Sequence, residues 1–194
     1  LDNGVKRTNR TGVDTIMYFG YHYKVDLQKG FPLLTTKKVF FNSVIYELLW
    51  YLKGETHIRN LRKHTKIWDA WTTEKKNWEI GKMYGYQWVK WEKFTENSHT
   101  GEIKKTYINQ IENVIDLINN NPDSRRMVVT AWNPSVTGEV ALPSCHAFFI
   151  FNVTNGKLNC HLTQRSGDIA LGIPFNLACY ATLTQMIAQE TNLQ

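Results

Sequence analysis

Residues 141–176 read ALPSCHAFFIFNVTNGKLNCHLTQRSGDIALGIPFN, and this stretch decides the fold. Within it, two strand-like segments, 146–153 and 157–164, are joined through Thr154-Asn155-Gly156. Asn-Gly is the preferred dipeptide of a type I′ turn, so the sequence predicts a β-hairpin. Antiparallel pairing then brings the two open ends of the hairpin together.

The open end of this hairpin carries a candidate nucleophile and a candidate anion-binding group. Cys145 precedes the first strand, and Gln164-Arg165-Ser166 ends the second. A nearby cation favours the thiolate form of a cysteine, and the thiolate is the nucleophile. The sequence therefore predicts a nucleophilic cysteine beside an anion-binding arginine.

Helical spacing of apolar residues predicts the main helices. Residues 174–191 are apolar nearly all round, with Pro174 near their start, and we interpret them as a buried central helix. The same spacing predicts helices at 39–53, ending at Gly54, and at 107–119.

The rest of the chain is assigned from its turn and strand signals. Strands are predicted at 15–27 and 127–132, where β-branched and aromatic residues are frequent. A short helix is predicted at 57–64, and the polar segments 4–13 and 92–105 are expected to be loops.

Composition limits the class of protein. The 194 residues are 42% hydrophobic and 21% charged, as in a folded globular domain. No apolar run reaches the roughly 18–20 residues that span a membrane. Three cysteines are too few for a disulfide framework and indicate a reducing compartment, so a cytoplasmic location is expected. No Cys/His spacing is that of a zinc site, so no metal is expected.

The net charge of +6 fits either nucleic acid or a small anionic substrate. Dispersed lysines favour a nonspecific surface, whereas arginine grouped with serine and glutamine favours a discrete phosphate site. A nucleic-acid-binding module would not explain the cysteine–arginine hairpin.

Glu47 is the candidate for proton transfer. It lies beside the apolar stripe of the helix predicted at 39–53. Burial there would raise its pKa and suit it to proton transfer, whereas a place on the polar edge of the helix would not.

For the remaining candidate residues, the sequence allows a structural interpretation as well as a functional one. Trp68 and Trp71 form either an aromatic wall for a flat ligand or part of the core. Arg10 lies in a polar loop, where a solvated role is the alternative, and Arg125-Arg126 at a strand entrance would suit a phosphate.

Along essentially its whole length the chain resembles the thymidylate synthase family. The resemblance is carried by blocks that occur in the family's order: Asn9-Arg10-Thr11-Gly12, Gly30-Phe31-Pro32-Leu33-Leu34-Thr35-Thr36-Lys37, Glu47-Leu48-Leu49-Trp50, Ile67-Trp68-Asp69, Tyr84-Gly85-Tyr86-Gln87-Trp88, Pro122-Asp123-Ser124-Arg125-Arg126, Cys145-His146, Gln164-Arg165-Ser166-Gly167-Asp168 and Leu171-Gly172-Ile173-Pro174-Phe175-Asn176.

This resemblance implies a reaction and a fold. The residue matching Cys145 attacks C6 of dUMP, the residue matching Glu47 organises proton transfers, and 5,10-methylenetetrahydrofolate supplies a methylene and a hydride, giving dTMP and dihydrofolate. The implied fold is α+β, with a mixed β-sheet, a buried central helix and stacking of the sheet on that of a second subunit. The catalytic residues implied by the family are Cys145, Glu47, Arg165, Asp168 and Asn176.

The resemblance also implies two binding sets. Arg125 and Arg126 would reach the neighbouring active site of a homodimer, and the amide of Asn176 would select uracil. The dUMP set comprises Arg10, Arg125, Arg126, Gln164, Arg165, Ser166, Asn176, Tyr84 and His146. The folate set comprises Trp68, Trp71, Asp168, Leu171, Gly172 and Phe175.

The chain departs from the family pattern in places. Ser144 stands where proline is usual before the cysteine, Thr163 where tyrosine is common, and Lys82-Met83 where Pro-Val is usual.

We expect residues 1–194 to form a single domain that lacks the family's C-terminal segment and a short N-terminal piece. The alternatives are a dUMP hydroxymethylase, which shares the binding residues, and an inactive fragment; Trp68 favours the synthase, since an aromatic wall would shield the intermediate from water.

Overall fold

The computed structural model describes residues 2–9 and 12–194, which fall into two compact units, Leu1–Gly30 and Phe31–Gln194. In the first unit, strands β1 (Val5–Arg7) and β2 (Thr15–Met17) pair antiparallel. The strand predicted at 15–27 is therefore wrong beyond Met17. Gly20 has a φ of +78°, outside the extended region, and Asp26 caps a 3₁₀ turn at Leu27–Lys29. The expectation of a loop at 4–13 missed β1.

The second unit contains four α-helices and five strands. The helices are α1 (Phe41–Lys53), α2 (Gly85–Val89), α3 (Gln110–Asn120) and α4 (Gly172–Glu190). The strands are β3 (Trp91–Glu96), β4 (Ile103–Ile108), β5 (Val128–Thr130), β6 (His146–Thr154) and β7 (Lys157–Gln164). The predicted helices at 39–53, 107–119 and 174–191 are confirmed in type, as is the stop at Gly54, whose φ is +58°. The helix predicted at 57–64 is only a 3₁₀ turn at Leu61–Lys63.

The predicted hairpin is confirmed as β6 and β7. Asn155 and Gly156 both have positive φ, 52° and 71°, as a type I′ turn requires. The register pairs His146 with Gln164 and is irregular between His146 and Phe148. A bulge re-aims side chains, and His146 is here buried on the same side as Phe149 and Phe151.

The α+β class is confirmed, but the sheets are antiparallel rather than mixed in the described residues. The order in the largest sheet is β5-β6-β7, and each neighbouring pair is antiparallel. The two-residue turn of the hairpin forces this for β6 and β7. Stacking on a second subunit stays a prediction.

A second hairpin occupies the segment that was expected to be a loop. Strands β3 and β4 pair from Trp91↔Ile108 to Glu96↔Ile103. Their turn is organised by Asn97, whose Oδ1 accepts from the backbone N–H groups of His99 and Thr100. The loop prediction at 92–105 was wrong because this hairpin carries polar residues on both faces.

One continuous core links α1, α4 and the sheet. Val44 and Leu48 of α1, Leu183 of α4 and Phe149 of β6 are all buried in it. Gly85 lies against α1 so closely that a Cβ atom would be 2.0 Å from the carbonyl oxygen of Tyr51. Among residues 2–9 and 12–194, none of the helices combines the length and apolar character needed to cross a bilayer.

Candidate active site

Cys145 lies at the open end of the β6–β7 hairpin, beside Arg165. A guanidinium nitrogen of Arg165, Nη2, is 3.6 Å from Cys145 Sγ. The backbone N–H of Arg165 donates to the carbonyl of Cys145 at 2.9 Å, so the contact is part of the hairpin. The neighbourhood predicted from the sequence is therefore present.

The guanidinium of Arg165 is held in place by the turn that precedes Cys145. Its Nε donates to the carbonyl of Ser144 at 3.0 Å and its Nη2 to that of Pro143 at 2.6 Å. The group also lies 5.5 Å from the ring of Trp132. Nη1 has no partner within the described part of the chain, which leaves donors for an anion.

The other two cysteines are poor nucleophiles. Burial raises the pKa of the Cys160 thiol to about 12 and that of Cys179 well above its usual value. Thiols in such surroundings are inert because little thiolate forms. Cys145 is the candidate that remains among the three.

Glu47 is buried, with 6% of its surface exposed. Burial raises the pKa of its carboxyl to about 7, although hydrogen bonds from Trp68 and Tyr51 act in the opposite direction. The indole N–H of Trp68 donates to Oε1 of Glu47 at 2.6 Å. Tyr51 was missed from the sequence; its signal was its position one turn after Glu47 on the same helix.

An aromatic cluster connects Glu47 to Cys145. The ring of Trp68 packs edge-on against that of Tyr84, with centroids 5.6 Å apart. The backbone N–H of Cys145 donates to the hydroxyl of Tyr84 at 2.8 Å. Trp68 itself is only 6% exposed and packs in the core, whereas Trp71 is half-buried.

Hydrogen bonds link Asn176 of α4 to two hairpin residues, Gln164 and His146. Nε2 of Gln164 donates to Oδ1 of Asn176 at 3.0 Å, which fixes the amide. Burial lowers the pKa of His146 to about 4, and a hydrogen bond with Asn176 acts in the opposite direction. The imidazole is therefore neutral at physiological pH, while its Nδ1 has no partner in the described residues.

Asp168 organises the turn that leads into α4. Its Oδ1 accepts from the N–H groups of Ala170 and Leu171, at 2.8 and 2.7 Å. Its Oδ2 has no partner within residues 2–9 and 12–194. Nearby, Leu171 is 67% exposed, and Phe175 is partly buried against the core. This leaves one carboxylate oxygen that can accept a hydrogen bond from a ligand, beside exposed apolar surface.

The arginines of the predicted phosphate site are not all together. Arg125 and Arg126 are exposed at the entrance of β5, and the structure records no side-chain contact from them to Cys145 or Arg165. Ser166 is exposed next to Arg165, and Gly172 begins α4. Arg10 lies outside the described residues. In the described ranges, no group of three or more His, Cys, Asp or Glu side chains could hold a metal ion.

The site combines a cysteine, a fixed guanidinium and a buried carboxyl, an arrangement that suits covalent chemistry on a small anionic substrate. A model of the thymidylate synthase family matches residues 1–194, the whole chain. The chain therefore belongs to the thymidylate synthase family. Its members are methyltransferases of nucleotide biosynthesis that methylate dUMP with methylenetetrahydrofolate.

Proposed function

We propose that this protein converts dUMP to dTMP, with 5,10-methylenetetrahydrofolate as co-substrate and dihydrofolate as second product, in the cytoplasm. The observation that carries the proposal is the 3.6 Å approach of the Arg165 guanidinium to Cys145 Sγ. It brings a nucleophile and an anion-binding group to one point, as covalent attack on a nucleotide requires.

Cys145 would open the reaction. C5 of a pyrimidine is a poor nucleophile until C6 is saturated. Sγ forms a bond to C6, and the π electrons of the C5–C6 double bond move onto C5 and O4. C5 would then bond the methylene carbon of the folate and lose its proton to a base. Hydride from the folate would complete the methyl group, and the displaced electrons would restore the C5–C6 double bond and expel Sγ as thiolate.

Glu47 would handle the protons of this chemistry. With a pKa of about 7, its carboxyl exists in both protonation states near neutral pH. Such a group can give and take protons around O4 without a large energetic penalty. Tyr51 and the indole of Trp68 hold it in place.

Asn176 would select uracil. Because Gln164 donates to its Oδ1, its Nδ2 is the amide donor that can face O4 of the base. The second lone pair of Oδ1 can accept from N3–H. Cytosine offers an amino donor at C4 and no proton on N3, so it would fit badly.

The phosphate of dUMP would bind Arg165, Ser166 and Arg10, with Arg125 and Arg126 of the partner subunit completing the site. Both of the latter side chains are exposed. Support for a dimer comes from the outer face of the β5–β6–β7 sheet. Val128 is 41% exposed there and pairs with Ile150, while Thr130 pairs with Phe148. A sheet face of this kind would be covered by a second sheet.

When bound, the folate would supply a one-carbon unit and a hydride. Asp168 would accept hydrogen bonds from the pterin through Oδ2, and Trp71, Leu171 and Phe175 would pack on its ring. Gly172 would allow close approach, and Trp68 would close the inner wall of the site.

The test is to incubate the protein with dUMP and 5,10-methylenetetrahydrofolate and to identify the nucleotide product by mass spectrometry. dTMP and dihydrofolate in equal amounts support the proposal, and Cys145→Ser should abolish both. Cys160→Ser is the matched control and should retain activity. 5-Hydroxymethyl-dUMP without dihydrofolate would show a hydroxymethylase instead, and no product would overturn both.

A further inference from the structure

Tyr84 adopts a backbone conformation that an aromatic residue rarely takes. Its φ is +42° and its ψ is −110°. Such a conformation persists only when the surroundings hold it, and it commonly marks a functional site. The residue that follows, Gly85, leaves no room for a side chain between this segment and α1.

A single side chain accepts the backbone N–H of Tyr84. Oγ of Ser144 accepts it at 3.0 Å, and both residues are buried. Without this oxygen the N–H would be buried and unpaired, at a cost comparable to that of a lost hydrogen bond. Pro143 and Cys145, the neighbours of Ser144, offer no side-chain oxygen.

The other end of Tyr84 meets the residue next to Ser144. The hydroxyl of Tyr84 accepts the backbone N–H of Cys145 at 2.8 Å and also interacts with the Cys145 side chain. Two successive residues of one turn therefore hold Tyr84 at both its backbone and its ring. Since the oxygen already accepts from Cys145, the phenolic proton is left for Sγ or for a substrate.

We propose that Ser144 is a positioning residue for the nucleophile. Its hydroxyl holds Tyr84 in the strained conformation, and Tyr84 in turn fixes and hydrogen-bonds Cys145. This inference rests on the proposed function, because it assigns the role of Ser144 within the same site.

A double-mutant cycle with Ser144→Ala and Tyr84→Phe tests the proposal. Loss of one buried hydrogen bond should lower the kcat for dTMP about tenfold in Ser144→Ala, with the KM for dUMP changed less than about twofold. In the Tyr84→Phe background the same substitution should change kcat less than about twofold, because the hydroxyl through which Ser144 acts is gone. An equal factor in both backgrounds would overturn the proposal.

A second readout does not depend on dTMP formation. The rate at which iodoacetamide alkylates Cys145, followed by mass spectrometry at fixed pH, should fall in Ser144→Ala and Tyr84→Phe and no further in the double variant. Additive losses would contradict the proposal even if no dTMP were made, so failure of the proposed function is recognised separately.

Two further variants exclude a merely structural effect. Ser144→Thr keeps the hydroxyl and should restore most of the alkylation rate lost in Ser144→Ala; failure to do so in a folded variant would count against the proposal. Ser135→Ala also removes a side-chain hydrogen bond, at 2.7 Å to Asn133, but on an exposed turn, and should leave both rates unchanged.

Discussion

At the scale of single residues, the buried carboxyl of Glu47 couples stability to pH. Its pKa rises from 4.5 to about 7 on folding, so its ionisation opposes the folded state. The contribution of this group is complete below pH 4.5 and is lost as the pH rises through about 7. The interval corresponds to about 3 kcal/mol.

We compare the free energy of unfolding of Glu47→Gln with that of the unaltered protein. The difference should shift in favour of the variant by up to about 3 kcal/mol between pH 4 and pH 8, because the variant has nothing to ionise. Urea unfolding between pH 4 and 8 measures this difference. The same variant should lose about a hundredfold or more in kcat, since proton transfer is removed. A stability difference that does not vary with pH would contradict the assigned burial.

His146 has the opposite dependence. Its pKa falls from 6.5 to about 4 on folding, so its contribution is complete above pH 6.5 and is lost as the pH falls through about 4. Between pH 7 and pH 4 the free energy of unfolding of His146→Gln should therefore fall by less than that of the unaltered protein, with a difference of up to about 3 kcal/mol. His99→Gln, on an exposed turn, should leave that fall unchanged.

At the scale of elements, the two hairpins show what a sequence can reveal. The β6–β7 hairpin was predictable because an Asn-Gly turn joins strands with a buried face, and that turn alone brings Cys145 to Arg165. The β3–β4 hairpin was not, because most of its side chains are exposed and its apolar residues do not alternate cleanly. The sequence likewise could not decide whether Glu47 is buried, since its surroundings depend on Trp68 from a distant turn.

The β3–β4 hairpin is held by a charge cluster instead. Oε1 of Glu92 accepts from Lys82, Tyr86 and Lys105, each at 2.8 Å. The hydrogen bonds from Lys105 and Lys82 lower the pKa of Glu92 to about 2. Its contribution to stability is therefore present above pH 4.5 and is lost as the pH falls through about 2.

We expect Glu92→Gln to lower the free energy of unfolding by about 1 kcal/mol at pH 7, a value discounted for the partly exposed lysines. The effect should shrink in high salt and below pH 4.5. Glu96→Gln, on the same face of β3 but exposed, is the matched control in urea unfolding. Equal effects of the two substitutions would show that the cluster has no special weight.

Substitution of Gly85 tests the contact between α2 and α1. Gly85→Ala would place a Cβ atom 2.0 Å from a backbone oxygen of Tyr51, so the two helices must separate. We expect a loss of about 3 kcal/mol in urea unfolding together with lower activity, because Tyr84 moves with α2. Gly138→Ala meets no atom within 4 Å and should be close to neutral.

At the scale of the whole molecule, the proposed function divides the active site between two chains. Cys145 and Arg165 lie together, whereas Arg125 and Arg126 are exposed elsewhere with no recorded contact to them. Under the proposed function, arginines that bind a phosphate in trans would account for this separation, because each chain would then complete the site of its partner. No spacing or periodicity within the sequence predicts such sharing, because it would depend on a second chain; only the family resemblance implies it.

Subunit mixing tests this arrangement. Cys145→Ser and Arg125→Ala/Arg126→Ala should each be nearly inactive alone, because each lacks one essential part of every site. In a heterodimer of the two, one site combines an intact cysteine with intact arginines from the partner. After unfolding and refolding together, statistical pairing should restore about a quarter of the unaltered activity. Activity that stays at the level of the separate variants, with dimers present by light scattering, would place the phosphate site within one chain.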